Sequence, residues 1–187
     1  MTHIIDFLNG EHRRVEKLLL VLEEELAVFD CQERPDYEVL QTLVRFFEDY
    51  AGSRHEATER ILFDVLRECD VEAAAMLDGL ESEHRDDSKR LQRLAWVLTN
   101  ILGDRDVPRR ALDEVARDFI EHARHQIDFE ERVLFPAAMK ALRPEDWAEI
   151  EAQVGAPSSF ETEPQQKLCE LSTRILQWEQ ENQMVRA

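Results

Sequence analysis

Apolar residues recur at steps of three and four along most of the chain, and this spacing predicts helices. The first stripe runs from Ile5 to Phe29, the second from Leu40 to Leu66, and the third from Leu77 to Ile101. A fourth stripe begins after Pro108 and runs from Leu112 to Ala137. Four amphipathic helices joined by short breaks predict an all-α protein, an up-down-up-down antiparallel four-helix bundle with extra C-terminal helices.

Two further helical segments follow the four stripes. The stretch "RPEDWAEIEAQV" predicts a short fifth helix, and "QQKLCELSTRILQWEQENQ" predicts a last amphipathic helix. The stretch "GAPSSFETEP" between them has the composition of a linker. The predicted organisation is therefore a bundle with its fifth helix over residues 1–154, a linker over 155–164 and a C-terminal helix over 165–187. The last helix would dock on the bundle or on a second copy of the chain, forming a homo-oligomer.

Composition adds expectations about partners and compartment. The net charge of -18 at pH 7 repels DNA, RNA and anionic membranes, so neither nucleic acid nor a membrane is expected as a partner. The N-terminus lacks the pattern of a signal peptide, and no apolar run is long enough to span a bilayer. The three cysteines are far apart and form no CxxC pair, which fits free thiols in a reducing cytoplasm. We therefore expect a cytoplasmic protein.

Each of the four stripes carries a histidine or a carboxylate where an apolar residue is expected. These residues are His12, His55 with Glu59, His84, and Glu130. A buried carboxylate is unfavourable unless it is paired or bound to a metal. Because the helices alternate in direction, the five residues fall at about the same depth in the bundle, and the four-residue step in the second helix places both side chains on one face. Imidazoles and carboxylates without a thiolate suit iron, zinc or manganese. The alternative is a buried hydrogen-bond network without metal.

The residues stand in motifs that resemble those of the hemerythrin-like, HHE cation-binding proteins. The similarity covers roughly residues 1–154 and is carried by "NGEHRRVEKLL", "HEATERILFDVL", "LESEHRDDSKRL" and "FEERVLFPAAMKALRPEDW". The resemblance implies a four-helix bundle that holds a non-haem di-iron centre, bridged by two carboxylates and an oxo or hydroxo group. It also implies that His12, His55, Glu59, His84 and Glu130 are metal ligands. Members of this family bind dioxygen, handle nitric oxide or peroxide, or sense redox state or iron.

The fourth helix departs from the family pattern, which places a histidine at position 126, where this chain has Gln126. His125 lies about 140° round the helix from Glu130 at ~100° per residue, so a local π-bulge would be needed to turn it inward. His122 faces the core better but lies ~12 Å along the axis from Glu130. His122, His125 and Gln126 are therefore all candidates to complete the site, and a weak or empty metal position is a further alternative. Glu131 neighbours the stripe and is expected to face solvent or a helix partner.

The implied function is a metal centre that binds, senses or reduces a small ligand such as dioxygen, nitric oxide or peroxide. Gln126, a poorer ligand than histidine, would leave a coordination position open for that ligand. Asp87, one turn after His84, would orient a ligand, line an access route, or make a polar contact at the bundle end. The alternative function is a metal-storage, sensing or interaction module with an incomplete metal site and no catalysis. No nucleophilic triad or phosphate-binding loop is evident, so neither a hydrolase nor a transferase is predicted.

Overall fold

The computed structural model describes residues 3–31, 34–50, 54–155 and 170–178, apart from the side chains of residues 29, 30, 81–85 and 109. The described backbone is helical with short turns and contains no strand. In chain order the elements are α1 (His3–Asp30), α2 (Tyr37–Tyr50), α3 (Arg54–Cys69), α4 (Val71–Leu102), α5 (Arg109–Phe129), a π-helix (Glu130–Leu134), α6 (Phe135–Ala141) and α7 (Pro144–Val154). Residues 170–178 are also helical.

The helices form four legs of an antiparallel bundle. The legs are α1, then α2 with α3, then α4, and finally α5 continued through the π-helix into α6. Both α1 and α4 pack against α2, α3 and α5, so the first and third legs each contact the second and the fourth, and α3 also contacts α6. The predicted all-α four-helix bundle with extra C-terminal helices is confirmed. The second predicted stripe is carried by two helices, and residues 51–53 between them lie outside the described part of the chain.

The bundle core consists of two apolar clusters. The first apolar cluster is built by the later turns of α1, by α2, by the second half of α4 and by the first half of α5. The second apolar cluster is built by the first turns of α1, by the later turns of α3, by the start of α4, and by α6 and α7. Deeply buried members include Leu22, Leu43, Leu94 and Leu112 in the first cluster and Leu8, Leu62, Leu134 and Ile150 in the second.

Every leg passes from one apolar cluster to the other across a polar interval. The intervals are Leu8–Val15 in α1, Phe47–Leu62 in the second leg, Leu80–Leu91 in α4 and Ile120–Leu134 in the fourth leg. The histidines and carboxylates that interrupt the apolar stripes all fall inside these intervals. The bundle therefore has a polar layer between two apolar halves.

The π-helix changes which residues of the fourth leg face the core. A π-turn contains one residue more than an α-turn, so every later position is displaced by one. Leu134 and Ala138 are buried, whereas Val133 and Ala137 are partly exposed. The sequence pattern placed Val133 and Ala137 on the core stripe, and that prediction is wrong because regular α-helical spacing ends at the π-turn.

Pro136 gives a physical reason for the π-turn at this place. A proline has no backbone N–H, and inside a regular α-helix its ring collides with the carbonyl four residues earlier. Pro136 stands in the first turn of α6, directly after the π-helix, where the amide of Phe135 donates to the carbonyl of Glu130. The fourth leg therefore continues through its proline with a π-turn.

Two helices pack outside the four legs. The predicted fifth helix is α7, whose Trp147 and Ile150 are buried in the second apolar cluster. Residues 170–178 pack on the first apolar cluster through Ile175, which is 0% exposed. The C-terminal helix thus docks on its own bundle over its described length, while the rest of the predicted linker and helix lies outside the described residues. Among the described helices, none is both long enough and apolar enough to cross a membrane.

Candidate metal centre

Four side chains converge in the polar layer between the two apolar clusters. They are His12 from α1, His55 and Glu59 from α3, and Glu130 from the π-helix. One potential ligand atom from each lies within 4.8 Å of the other three. All four residues are buried, with exposed fractions between 0% for Glu130 and 5% for His55. Inward histidines and glutamates on facing helices are the means by which bundle cores hold metals.

The distances within this metal cluster are short, but its hydrogen bonding is incomplete. The Nε2 atom of His12 lies 3.2 Å from Oε2 of Glu130 and 3.7 Å from Oε1 of Glu59. The Nε2 atom of His55 lies 2.9 Å from the same oxygen of Glu59. Within the described part of the chain, neither His12 Nε2 nor Glu59 Oε1 makes an aligned hydrogen bond. Buried polar atoms normally make such a bond. The converging nitrogen and oxygen atoms are therefore suited to bind a metal cation.

Electrostatics also favour a positive charge inside the cluster. Burial alone would lower the pKa of His12, but its contacts with Glu130 and Glu59 outweigh burial and raise that pKa to about 10. Burial alone would raise the pKa of Glu59, but His55 and His12 hold it well below its usual range. Without metal, the carboxylates therefore keep a proton on His12. A metal ion supplies more positive charge at the same place and displaces that proton.

Glu131 contacts the other ring nitrogen of His12. Its Oε1 lies 3.0 Å from Nδ1 of His12, and 39% of its side chain is exposed. Adjacent residues of an α-helix diverge by ~100°, whereas here Glu130 and Glu131 both reach the same imidazole from the π-helix. Ligating histidines usually donate their second N–H to such an acceptor. Sequence reasoning assigned Glu131 no part in the site, and Pro136 in "LFP", which disfavours a regular α-turn, was the available signal.

A cavity of about 170 Å³ adjoins the metal cluster, and all four cluster residues line it. This volume is several times the share of one water molecule in the liquid, about 30 Å³, so the cavity has room for a small ligand. Tyr50, Glu56, Asp87, Ser88 and Gln126 add polar groups to its wall. The apolar part of the wall is formed by Val15, Phe47, Leu91, Phe119, Ala123 and Ile127.

The family model described as "Hemerythrin HHE cation binding domain" matches residues 3–138. The chain belongs to the hemerythrin HHE cation-binding family. The match spans all four legs and includes every residue of the metal cluster. Family and cluster together identify a metal-binding protein. Comparisons with curated proteins and with solved structures found no match.

The HHE domain does not bring His122 or His125 into the metal cluster. His125 is exposed, and the π-helix follows it in the chain, so it does not turn this side chain inward. His122 is half-buried, and its Nδ1 lies 2.8 Å from the backbone carbonyl oxygen of Asp118 and 3.3 Å from the Asp118 carboxylate. Metal ligation by either histidine stays a prediction from the sequence.

Gln126 occupies the position at which the family pattern has a histidine. Its side-chain Nε2 donates to Oε1 of Glu130 over 3.0 Å, and the residue also lines the cavity. Asp87 lines the cavity as well, and its carboxylate pairs with Arg90 at 3.0 Å. His84 belongs to α4, three residues before Asp87, but its side chain lies outside the described residues. Ligation by His84 therefore stays a prediction of the HHE pattern.

Proposed function

We propose that the chain is a hemerythrin-like protein whose non-haem di-iron centre binds, senses or reduces a small ligand such as dioxygen, nitric oxide or peroxide. The observation that carries this proposal is the convergence of His12, His55, Glu59 and Glu130 within 4.8 Å beside a cavity. A site with both nitrogen and oxygen ligands suits iron. Zinc and manganese also bind such ligands. Bound iron would supply redox chemistry and a coordination position for the ligand.

The side chains around the cluster support this role. Glu59 and Glu130 each have two oxygens and come from facing helices, the arrangement that lets carboxylates bridge two metals. Glu131 orients the imidazole of His12, and Gln126 holds one oxygen of Glu130. The apolar part of the cavity wall offers no hydrogen bonds, which disfavours polar molecules there. An uncharged diatomic molecule does not lose hydrogen bonds on entering such a space.

A second candidate is a metal-storage, sensing or interaction module with an incomplete metal site and no catalysis. The amide at position 126 favours it, because a neutral amide that donates to Glu130 takes the place of a histidine ligand.

The remaining expectations are also proposals: a cytoplasmic protein, without nucleic acid or membrane partners, that forms a homo-oligomer through its C-terminal helix. Exposed free thiols at Cys31 and Cys69 fit a reducing compartment. Measuring the mass in solution after deletion of residues 157–187 tests the oligomer, since an unchanged oligomeric state contradicts it.

Iron loading with elemental analysis and optical spectroscopy tests the main proposal. The wild-type chain should bind about two iron ions, as a two-metal centre requires, and show oxo-bridge charge-transfer bands. The variants His55→Ala and Glu59→Ala should lose most of the iron and the bands. His3→Ala is the matched control, because His3 is exposed in the first turn of α1. Absence of bound iron in the wild type refutes the proposal. About one iron per chain without such bands favours the second candidate.

A further inference from the structure

Tyr50, the last residue of α2, has a buried hydroxyl that the metal cluster does not use. The residue is partly exposed, but its hydroxyl oxygen is buried and has no hydrogen-bond partner among the described residues. Buried tyrosine hydroxyls usually find a partner, because losing water without replacing its hydrogen bonds is unfavourable. Among the described residues, the hydroxyl of Tyr50 therefore lacks the partner that its burial calls for.

The surroundings place Tyr50 in the wall of the ligand cavity. Tyr50 lines the cavity together with the four residues of the metal cluster. Its ring lies 5.1 Å from the ring of His55 and stacks on Phe46 at 5.7 Å, so packing on two sides holds the phenol in place. Other polar groups of the wall are already engaged, Gln126 with Glu130 and Asp87 with Arg90.

The phenol remains a hydrogen-bond donor at neutral pH. An unperturbed tyrosine has a pKa near 10. Burial raises the pKa of Tyr50 well above that value, so the hydroxyl keeps its hydrogen. A protonated phenol beside the cluster stabilises an electron-rich acceptor, and hydrogen bonds to charged acceptors are the stronger kind.

We propose that Tyr50 is a positioning residue that donates its hydroxyl hydrogen to the small ligand held in the cavity. The inference rests on the proposed function and narrows the ligand class to small molecules that carry or gain negative charge when bound, such as azide or peroxide. A ligand that accepts hydrogen bonds poorly derives no benefit from this hydroxyl. The cavity thus selects by hydrogen bonding as well as by size.

Azide binding to the iron-loaded full chain tests the inference, with Tyr50→Phe compared with the wild type. Phenylalanine keeps the ring and removes only the hydroxyl. Iron content and melting temperature should be unchanged, while the azide Kd should rise roughly ten- to 150-fold, the usual effect of losing one hydrogen bond to a charged group. The azide stretching band should also shift, which a purely structural role would not cause. Tyr37→Phe is the matched control, because Tyr37 is the first residue of α2 and Tyr50 the last.

Every other outcome contradicts either the role of Tyr50 or the proposed function. An unchanged azide Kd and stretching band in Tyr50→Phe overturn the role of Tyr50 and leave the proposed function standing. Loss of iron in Tyr50→Phe, with iron retained in Tyr37→Phe, makes Tyr50 part of the metal site and also overturns the role. A wild-type chain that binds neither iron nor azide overturns the proposed function and, with it, the inference.

Discussion

Replacing Glu131 by alanine should weaken metal binding, although Glu131 is not one of the four converging donors. His12 lies between two consecutive carboxylates, with Nε2 3.2 Å from Glu130 and Nδ1 3.0 Å from Glu131. The contact with Glu131 holds the proton on Nδ1, which leaves Nε2 to face the cluster as the ligating atom. Without Glu131, the imidazole loses that tautomer preference and part of its basicity.

The size of the loss follows from exposure and packing. Removing the acceptor behind a ligating histidine typically costs about 10- to 100-fold in metal affinity, or ~1.4 to ~2.8 kcal/mol. The side chain of Glu131 is 39% exposed, so solvent screens its charge and favours the lower limit. The ring of Phe135 stacks on His12 at 5.6 Å and still restrains the imidazole in the variant. We therefore expect about a tenfold loss for Glu131→Ala.

Competition for Zn²⁺ against a chromophoric chelator measures this loss without redox complications. Glu131→Gln should lose less than Glu131→Ala, because its amide oxygen still accepts from Nδ1 of His12. Asp128→Ala removes the same charge one turn earlier, where the carboxylate is 55% exposed and pairs with Arg132 at 2.6 Å. That control should bind Zn²⁺ like the wild type. If Glu131→Ala binds Zn²⁺ as tightly as Asp128→Ala, the reasoning about the π-helix and His12 is refuted.

Three further predictions concern the proton, the amide and the C-terminal helix. Because the pKa of His12 is raised from 6.5 to about 10, metal binding at pH 7 should release a proton, which calorimetry in buffers of different ionisation enthalpy detects. The same proton stabilises the metal-free fold fully below pH 6.5, so the melting temperature of that form should fall as pH rises toward 10, and a flat profile contradicts this. Gln126→His should raise the iron content per chain, and an unchanged content argues against a defect at that position. Ile175→Ala should cost about 2 to 4 kcal/mol in denaturant unfolding, whereas Gln177→Ala, on the exposed side of the same helix, should cost little.

The sequence predicted the bundle and the residues of the metal cluster because both depend on regular helical spacing. His12 and Glu59 interrupt long stripes of steps of three and four, and that spacing persists in the structure as far as Glu130. Depth in an antiparallel bundle then follows from counting residues at ~1.5 Å each. These arguments need no knowledge of side-chain contacts, so they succeed wherever the helix is regular.

The errors begin where the regular spacing ends. Val133 and Ala137 were assigned to the core by extending the stripe past Glu130, and the π-turn transfers that role to Leu134 and Ala138. A periodicity argument averages over several turns and does not detect one additional residue. The contact of Glu131 with His12 was missed for the same reason.

Tyr50 escaped notice for a different reason. It lies at the end of α2, beside the residues of the second stripe and not on it, so apolar spacing gives it no significance. Only the three-dimensional structure shows that Tyr50 lines the cavity and that its buried hydroxyl has no partner in the described part of the chain.

The π-helix determines which residues of the fourth leg face the metal cluster and which face the second apolar cluster. Closing the π-turn to a regular α-turn, with the chain length unchanged, would rotate every later residue by ~100° about the helix axis. Leu134 and Phe135 would then leave the core, although no apolar residue had been removed. A change in the winding of this turn therefore acts on the core as well as on the metal cluster, and metal affinity and folding stability in this half of the bundle should vary together among variants of this turn.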